Sequence, residues 1–281
     1  MKIAALFRVP ALVAILATVP ALAADAVITR PALDHGFQLL YGLDFGRAHD
    51  VFTAWQQSHP EDPLGPACEA AGLLFSEFHR LGVLESQFYE DDKKFAERTK
   101  LTPDAAVRGR FQAAIQKAEG IAHARLAKNA KDRDALFALT LTSGLQGDYA
   151  ALIEKRNLAS LRFTKEATSW AEQTLAVDPN CYDAYVASGF GKYIIGSLNA
   201  PMRWLVRLGG IAGDKKEGIK ELQLTAERGR YLAPFANILL AMAYVREHDK
   251  PHARQLLANL RDQFPANPLF AQEIARLDSG R

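Results

Sequence analysis

Seven histidines, two cysteines and a few glycine-flanked serines are the residues from which this 281-residue chain would have to build any chemistry. The histidines, at positions 35, 49, 59, 79, 123, 248 and 252, are scattered. His248 and His252 are four apart, the spacing at which two imidazoles on one helical face grip zinc. Pro251 breaks that register, and no third ligand is evident. A nucleophile elbow needs a glycine two residues before and two after its serine, on a strand–turn–helix. Neither "SGLQG" (143–147) nor "ASGFG" (187–191) has that pattern. "GGIAGD" (209–214) lacks the lysine-serine pair and the preceding strand of a phosphate loop. Asp91 and Asp92 in "YEDDKKF" read as a solvated helix face. The expectation is a protein that is not an enzyme, with no catalytic, metal or cofactor-binding set. Cys68 and Cys181 are far apart in sequence; they are either a long-range disulfide or two buried thiols.

The elements that would position any site begin after an N-terminal leader. Lys2 and Arg8 precede an apolar run that ends in Ala21-Leu22-Ala23, which is the pattern of a secretory signal peptide spanning 1–23. The apolar stretch after Arg8 is about 15 residues long and holds Pro10 and Pro20, too short for a spanning helix of about 20. A soluble, exported, periplasmic protein is therefore expected, and not a spanning membrane protein. The whole chain has 34 Lys+Arg and 32 Asp+Glu. Removing Lys2 and Arg8 with the leader leaves 32 of each, so the basic excess expected of a nucleic-acid binder is absent.

From Pro31 onward apolar residues recur at three- and four-residue steps, with no alternating β-branched run, so the remainder, 24–281, reads as one all-α domain. Helices are punctuated by "HPEDP", "LTPD", "AKDRD", "VDPN" and "FPANP". In "LTPD", Thr102 can cap, Pro103 suits the first helical position and Asp104 complements the dipole. "SGLQGDYA" (143–150) supplies a Gly-Asp-Tyr turn between two helices. Counting back from the corner prolines exposes a common frame. Pro265 gives Ala253, Leu257 and Leu260; Pro60 gives Ala48, Phe52 and Trp55; Pro179 gives Ala167, Ala171 and Thr174.

That frame resembles the tetratricopeptide repeat (TPR), a helix–turn–helix unit whose signature is Trp-x2-Leu-Gly-x2-Tyr, Ala-x3-Phe and then Pro. The match is good over 132–279 and 36–60, and poor over 81–110. The resemblance implies a right-handed α-solenoid of antiparallel helix pairs, a TPR-like superhelix. The segments "YGLDFGRAHDVFTAW", "VDPNCYDAYVASGFGKYIIG", "GGIAGDKKEGIKELQ" and "FPANPLF" are also similar to a family of exported bacterial TPR-type proteins without assigned chemistry. That family has eukaryotic relatives akin to the yeast inclusion-body clearance protein. Its apolar Trp segment, Gly-Asp corner and following helix correspond to Trp204, Gly213, Asp214, Gly218, Ile219 and Leu222. It implies interaction work, sometimes connected with lipid surfaces, and no catalytic residues.

By the same resemblance, certain positions of each unit's first helix line a concave face. They are Asp183, Val186, Phe190, Tyr193 and Ile194 in one unit, and Phe235, Ile238, Met242, Val245 and Arg246 in the last. In the unit holding Leu139 they include Phe137, Leu141 and Leu145. This face is apolar and lacks the Lys, Asn and Arg set that grips a peptide carboxylate. An apolar insert, 199–213, interrupts the helices and carries Met202, Trp204, Leu205 and Leu208. It is expected to form a short helix over 199–208, with Pro201 near its start and Gly209-Gly210 at its end, folded onto the concave face. The expected function is a scaffold that binds an unknown protein partner through the apolar concave face. The alternative is a carrier of a hydrophobic small molecule or acyl chain, with the insert covering it.

Overall fold

The computed structural model describes residues 30–84, 100–198 and 213–279. Residues 31–281 form one compact unit and residues 1–30 another; the leader and most of the 199–213 insert, with Met202, Trp204, Leu205 and Leu208, lie outside the described residues. Among the described residues there are eleven α-helices and no strand. They are α1 (Pro31–Tyr41), α2 (Phe45–Ser58), α3 (Leu64–Arg80), α4 (Ala105–Lys128), α5 (Arg133–Asp148) and α6 (Asn157–Val177). After these come α7 (Tyr185–Ser197), α8 (Lys215–Arg228), α9 (Ala233–Arg246), α10 (Lys250–Gln263) and α11 (Pro268–Ser279). No described helix is long and apolar enough to cross a membrane.

Short polar corners start the helices. Asp44, Asp104, Asp132, Asp214 and Asp249 each accept from a backbone N–H of the first turn that follows, offsetting donors that the helix itself leaves unpaired. At "LTPD" the cap is Asp104 rather than Thr102, and α4 begins at Ala105, beyond Pro103. The reason is reciprocal bonding. Asp104 Oδ1 takes Ala106 and Val107 N–H at 2.8 and 2.9 Å, while its own N–H donates to Glu77 at 2.7 Å. The turn expected at Gly147-Asp148-Tyr149 is helical instead. The chain passes from α5 directly into a π-helical turn, Tyr149–Ile153, and reverses only at Lys155, whose φ is 59°. Gly147 is buried against α6, where an added Cβ would make an ordinary contact with the Phe163 Cβ at 3.5 Å.

Consecutive helices pack on one another throughout, and the odd-numbered helices also touch in series: α1 on α3, α3 on α5, α5 on α7. This is the all-α solenoid that the tetratricopeptide-repeat resemblance implies. Small residues of the frame, Ala48, Ala167 and Ala253, are buried in the even-numbered helices, and Phe52 is fully buried between units. Cys68 and Cys181 are both buried and neither is in a disulfide.

The stack departs from a simple solenoid at its ends. Repeat units ordinarily contact only their neighbours. Here α1 packs against corners some 200 residues further along the chain. Arg230 grips Asp34 with two bonds of 2.7 Å, the Tyr41 hydroxyl donates to the Tyr231 carbonyl at 2.9 Å, and Asn267 Nδ2 donates to the Tyr41 carbonyl at 2.9 Å. Phe37 stacks on Tyr231, and Tyr41 packs on Phe264, at ring separations of 5.2 and 5.4 Å. Phe75 of α3 meets Phe235 of α9 edge-on at 5.6 Å. The first and last units therefore close on each other, and the inner faces of α3 and α9 come into contact.

Candidate functional site

The inner lining follows from what each odd-numbered helix leaves uncovered. Helix α5, "RDALFALTLTSGLQGD", is buried on nearly every side; Leu141, Gly144 and Asp148, spaced i, i+3, i+7, form its one half-open stripe, and Gln146 lies off that face. Helix α7 leaves Ala187, Phe190 and Ile194 half-buried, and α9 leaves Phe235, Ile238, Met242 and Val245, again at three- and four-residue steps. Phe190, Phe235 and Met242 lean on one small cluster formed by Val186, Leu222, Ala236, Leu239 and Leu240. Leu141, Phe75, Phe235 and Ile238 pack on the main core.

Of the side chains that the repeat frame points to, Leu141, Phe190, Ile194, Phe235, Ile238, Met242, Val245 and Arg246 are the half-open ones. Phe137 and Tyr193 are buried, at 3% and 2% exposure. Tyr193 reaches the last unit, its hydroxyl lying 3.4 Å from both the Ala243 carbonyl and Glu247. Asp183 is buried as well, and it holds a corner. Its carboxylate accepts from the Tyr231 and Leu232 backbone N–H groups at 2.9–3.2 Å. Burial pushes that carboxyl above the usual range, and the backbone donors oppose the rise.

The base of the insert is pinned. Asp214 N–H donates to the Lys192 carbonyl at 3.1 Å, and Gly213 lies directly on the Gly196 backbone, with no room for a Cβ. One turn on, a Cβ at Gly218 would meet the Gly189 oxygen and the Tyr193 nitrogen at 2.6 Å. Helices α7 and α8 thus approach backbone to backbone, which only glycine permits. The Gly-Asp corner read from the sequence does two jobs, close approach at Gly213 and helix capping at Asp214.

Asp148 has no counterpart in the repeat frame. It ends α5 at the entrance to the π-helical turn, and among the described residues it takes part in no hydrogen bond or ion pair. Burial alone pushes its carboxyl up to about 7. The fully buried carboxylates are engaged. Glu69 meets His49 at 2.6 Å and Arg110 at 3.3 Å, Glu221 meets Lys192 at 2.5 Å, and the Arg80 guanidinium holds Glu77 below the usual range. Burial pushes the Cys181 thiol up to about 12, which keeps it protonated and a poor nucleophile. His252 is engaged by Asp249 at 2.6 Å, and His248 occupies a left-handed turn with φ 63°. No group of three or more His, Cys, Asp or Glu able to hold a metal occurs among the described residues. A depression of about 350 Å³ lined by Lys100, Leu101, Thr102, Pro103, Ala105 and Arg108 belongs to a single stretch of chain and gathers no reactive pair.

No family model matches the chain, and no curated protein does. Among solved structures, the chain is similar to a thermophilic TPR protein of Thermus thermophilus. The identity is 15%, with 88% of this chain and 97% of that one covered, at a TM-score of 0.45.

Proposed function

We propose that the protein is an exported helical-repeat scaffold that acts by non-covalent burial of a partner on its apolar inner face, without covalent chemistry. The observation that supports this reading is the pair of half-open apolar stripes on α7 and α9, with the half-open Leu141 on α5. Leu158 and Val177 are the exposed large hydrophobic residues among those described. The leader pattern at 1–23 supports export to the periplasm.

A second reading, a carrier of a hydrophobic small molecule, is favoured by the closure between the first and last units. A helix with its side chains is about 10–12 Å across. Where Phe75 and Phe235 touch, the inner faces leave no space for one. Native mass spectrometry of protein gently purified from its own compartment separates the two readings. A co-purifying polypeptide supports the scaffold; an extra mass of a few hundred daltons, lost on activation, supports the carrier. Bare protein, from several preparations, would move the binding surface off the inner face.

A further inference from the structure

The corner ahead of α4 holds two cations that the described fold does not spend. The depression of about 350 Å³ there is lined by Lys100, Thr102, Ala105 and Arg108, together with Leu101 and Pro103. None of these six is acidic. Among the described residues Lys100 takes part in no hydrogen bond or ion pair. Arg108 faces Glu154 at 3.7 Å, too far for a hydrogen bond, while Arg156 holds the same carboxylate at 3.2 Å. The neighbouring acids are engaged elsewhere. Arg80 takes Glu77 at 2.6 Å, and Asp104 accepts the Ala106 and Val107 N–H groups at the start of α4. Glu77 and Glu154 are thus each offset by an arginine of their own, and Asp104 by the helix dipole. Lys100 and Arg108 remain as surplus positive charge.

The loop that carries them is held from three sides. Leu101 N–H donates to the Ile153 carbonyl at 3.2 Å, Arg80 to the Thr102 carbonyl at 3.3 Å, and Asp104 N–H to Glu77 at 2.7 Å. The donors are therefore ordered before a ligand arrives, which lowers the cost of binding. Ala105 and Arg108 are three apart on α4 and share one face, and the small Ala105 side chain leaves the depression open beside the arginine.

The donor set defines the ligand. A guanidinium takes two oxygens in its fork, and an ammonium and a hydroxyl supply further donors. A phosphate monoester offers three acceptor oxygens and a charge of about −1.5 to −2, whereas a carboxylate offers two oxygens and a single charge. We propose that the depression formed by Lys100, Thr102, Ala105 and Arg108 binds the phosphate of a monoester. The site shares no residue with the stripes of α5, α7 and α9, so it stands or falls independently of the function proposed above. A soluble ester and a lipid headgroup both carry such a phosphate. Leu158, two residues beyond Arg156 and 86% exposed, separates the two sources. An exposed leucine gains from an acyl layer and gains nothing from a soluble ester.

The test uses the purified protein in low-salt, phosphate-free buffer, where screening is least. Calorimetry compares glycerol 3-phosphate with glycerate. Sedimentation compares phosphatidylcholine vesicles containing about one-fifth phosphatidic acid, a monoester, with the same vesicles containing phosphatidylglycerol, a diester. The monoester should bind about tenfold or more tightly than its comparison probe in at least one of the two formats. Lys100→Gln and Arg108→Gln should each weaken that binding by about fivefold to tenfold or more, and Arg108→Lys by less, since it keeps the charge and loses the fork. Ala105→Glu, which places an acid in the depression at a position where α4 tolerates one, should abolish it. All these positions are exposed, so the variants should fold as the wild type does. Binding of glycerol 3-phosphate that Leu158→Ser leaves unchanged assigns a soluble ester; retention on phosphatidic acid vesicles alone, weakened by Leu158→Ser, assigns a headgroup. The proposal is overturned if neither monoester binds, if glycerate or phosphatidylglycerol is bound as tightly as its monoester, or if the Lys100 and Arg108 variants bind as the wild type does.

Discussion

Two joints hold this molecule in shape, and they are built in opposite ways. Where α1 meets the 230–232 and 264–267 corners, the joint consists of side chains: a two-bond ion pair, a tyrosine hydroxyl on a carbonyl, an asparagine on a carbonyl and stacked aromatic rings. Where α7 meets α8, the joint consists of missing side chains, with Gly213 on Gly196 and Gly218 on Gly189. The first is redundant. Several modest contacts share the energy, so no single deletion should open it. The second has no slack, because the atoms facing each glycine are backbone and cannot swing aside. Closure by side chains can be trimmed gradually, whereas contact of bare backbone fails at the first added methyl groups.

Single substitutions sharpen that contrast. The largest effect belongs to the glycine joint. Gly218→Val places a branched side chain where a Cβ alone is already 2.6 Å from two backbone atoms, and urea unfolding should show a loss of about 3 kcal/mol or no folded protein. Asp183→Ala comes next. It strands the buried N–H groups of Tyr231 and Leu232 and should cost about 2–3 kcal/mol, with Asp183→Asn costing less because one acceptor remains.

Asp148→Asn should go the other way. The Asp148 carboxyl titrates at about 7 in the folded protein against an ordinary value of 3.8, so the folded state holds the proton more tightly. Wild-type stability therefore falls as pH rises from about 4 to 7, and the carboxylate's cost is fully present above 7. Because Asp148 is only half-buried, the gain on replacing it should be about 1–2 kcal/mol at pH 8, vanishing below about pH 4. Equal stability of the two proteins at pH 8 would show that the carboxylate is not penalised. At the seam, Asp34→Ala should cost about 1 kcal/mol or less, since the ion pair is roughly one-third exposed on each side. A loss as large as that of Gly218→Val would mean that the seam is not redundant.

Much of the fold was legible because its rules are local. Corner residues cap the helices beside them, and the small residues Ala48, Ala167 and Ala253 are found buried at equivalent places in the even-numbered helices. The acidic corners gave the starts of α4, α5 and α8 to within a residue or two. The Gly-Asp turn at 147–148 misled because the helix runs on through Gly147 and the chain reverses only at Lys155, which no glycine marks. The closure was not legible at all. Its contacts join residues 160–226 apart, and no periodic pattern carries such a distance. Asp148 was hidden for a related reason. Helix α5 is buried on nearly every side, with Thr140, Thr142 and Ser143 inside as well as its apolar residues, so its sequence does not reveal which stripe the neighbouring helices leave open.

The central structural claim is that the first and last units are one cooperative body. Amide hydrogen exchange of wild type and Asp183→Ala tests it most directly. Asp183 touches the 231–232 backbone and lies outside α1. If the units are closed on each other, the substitution should raise exchange in 230–233 and, by the same factor, across α1, some 190 residues away in sequence. Faster exchange confined to 230–233, with α1 protected as in the wild type, would contradict the closure and return the protein to an open stack.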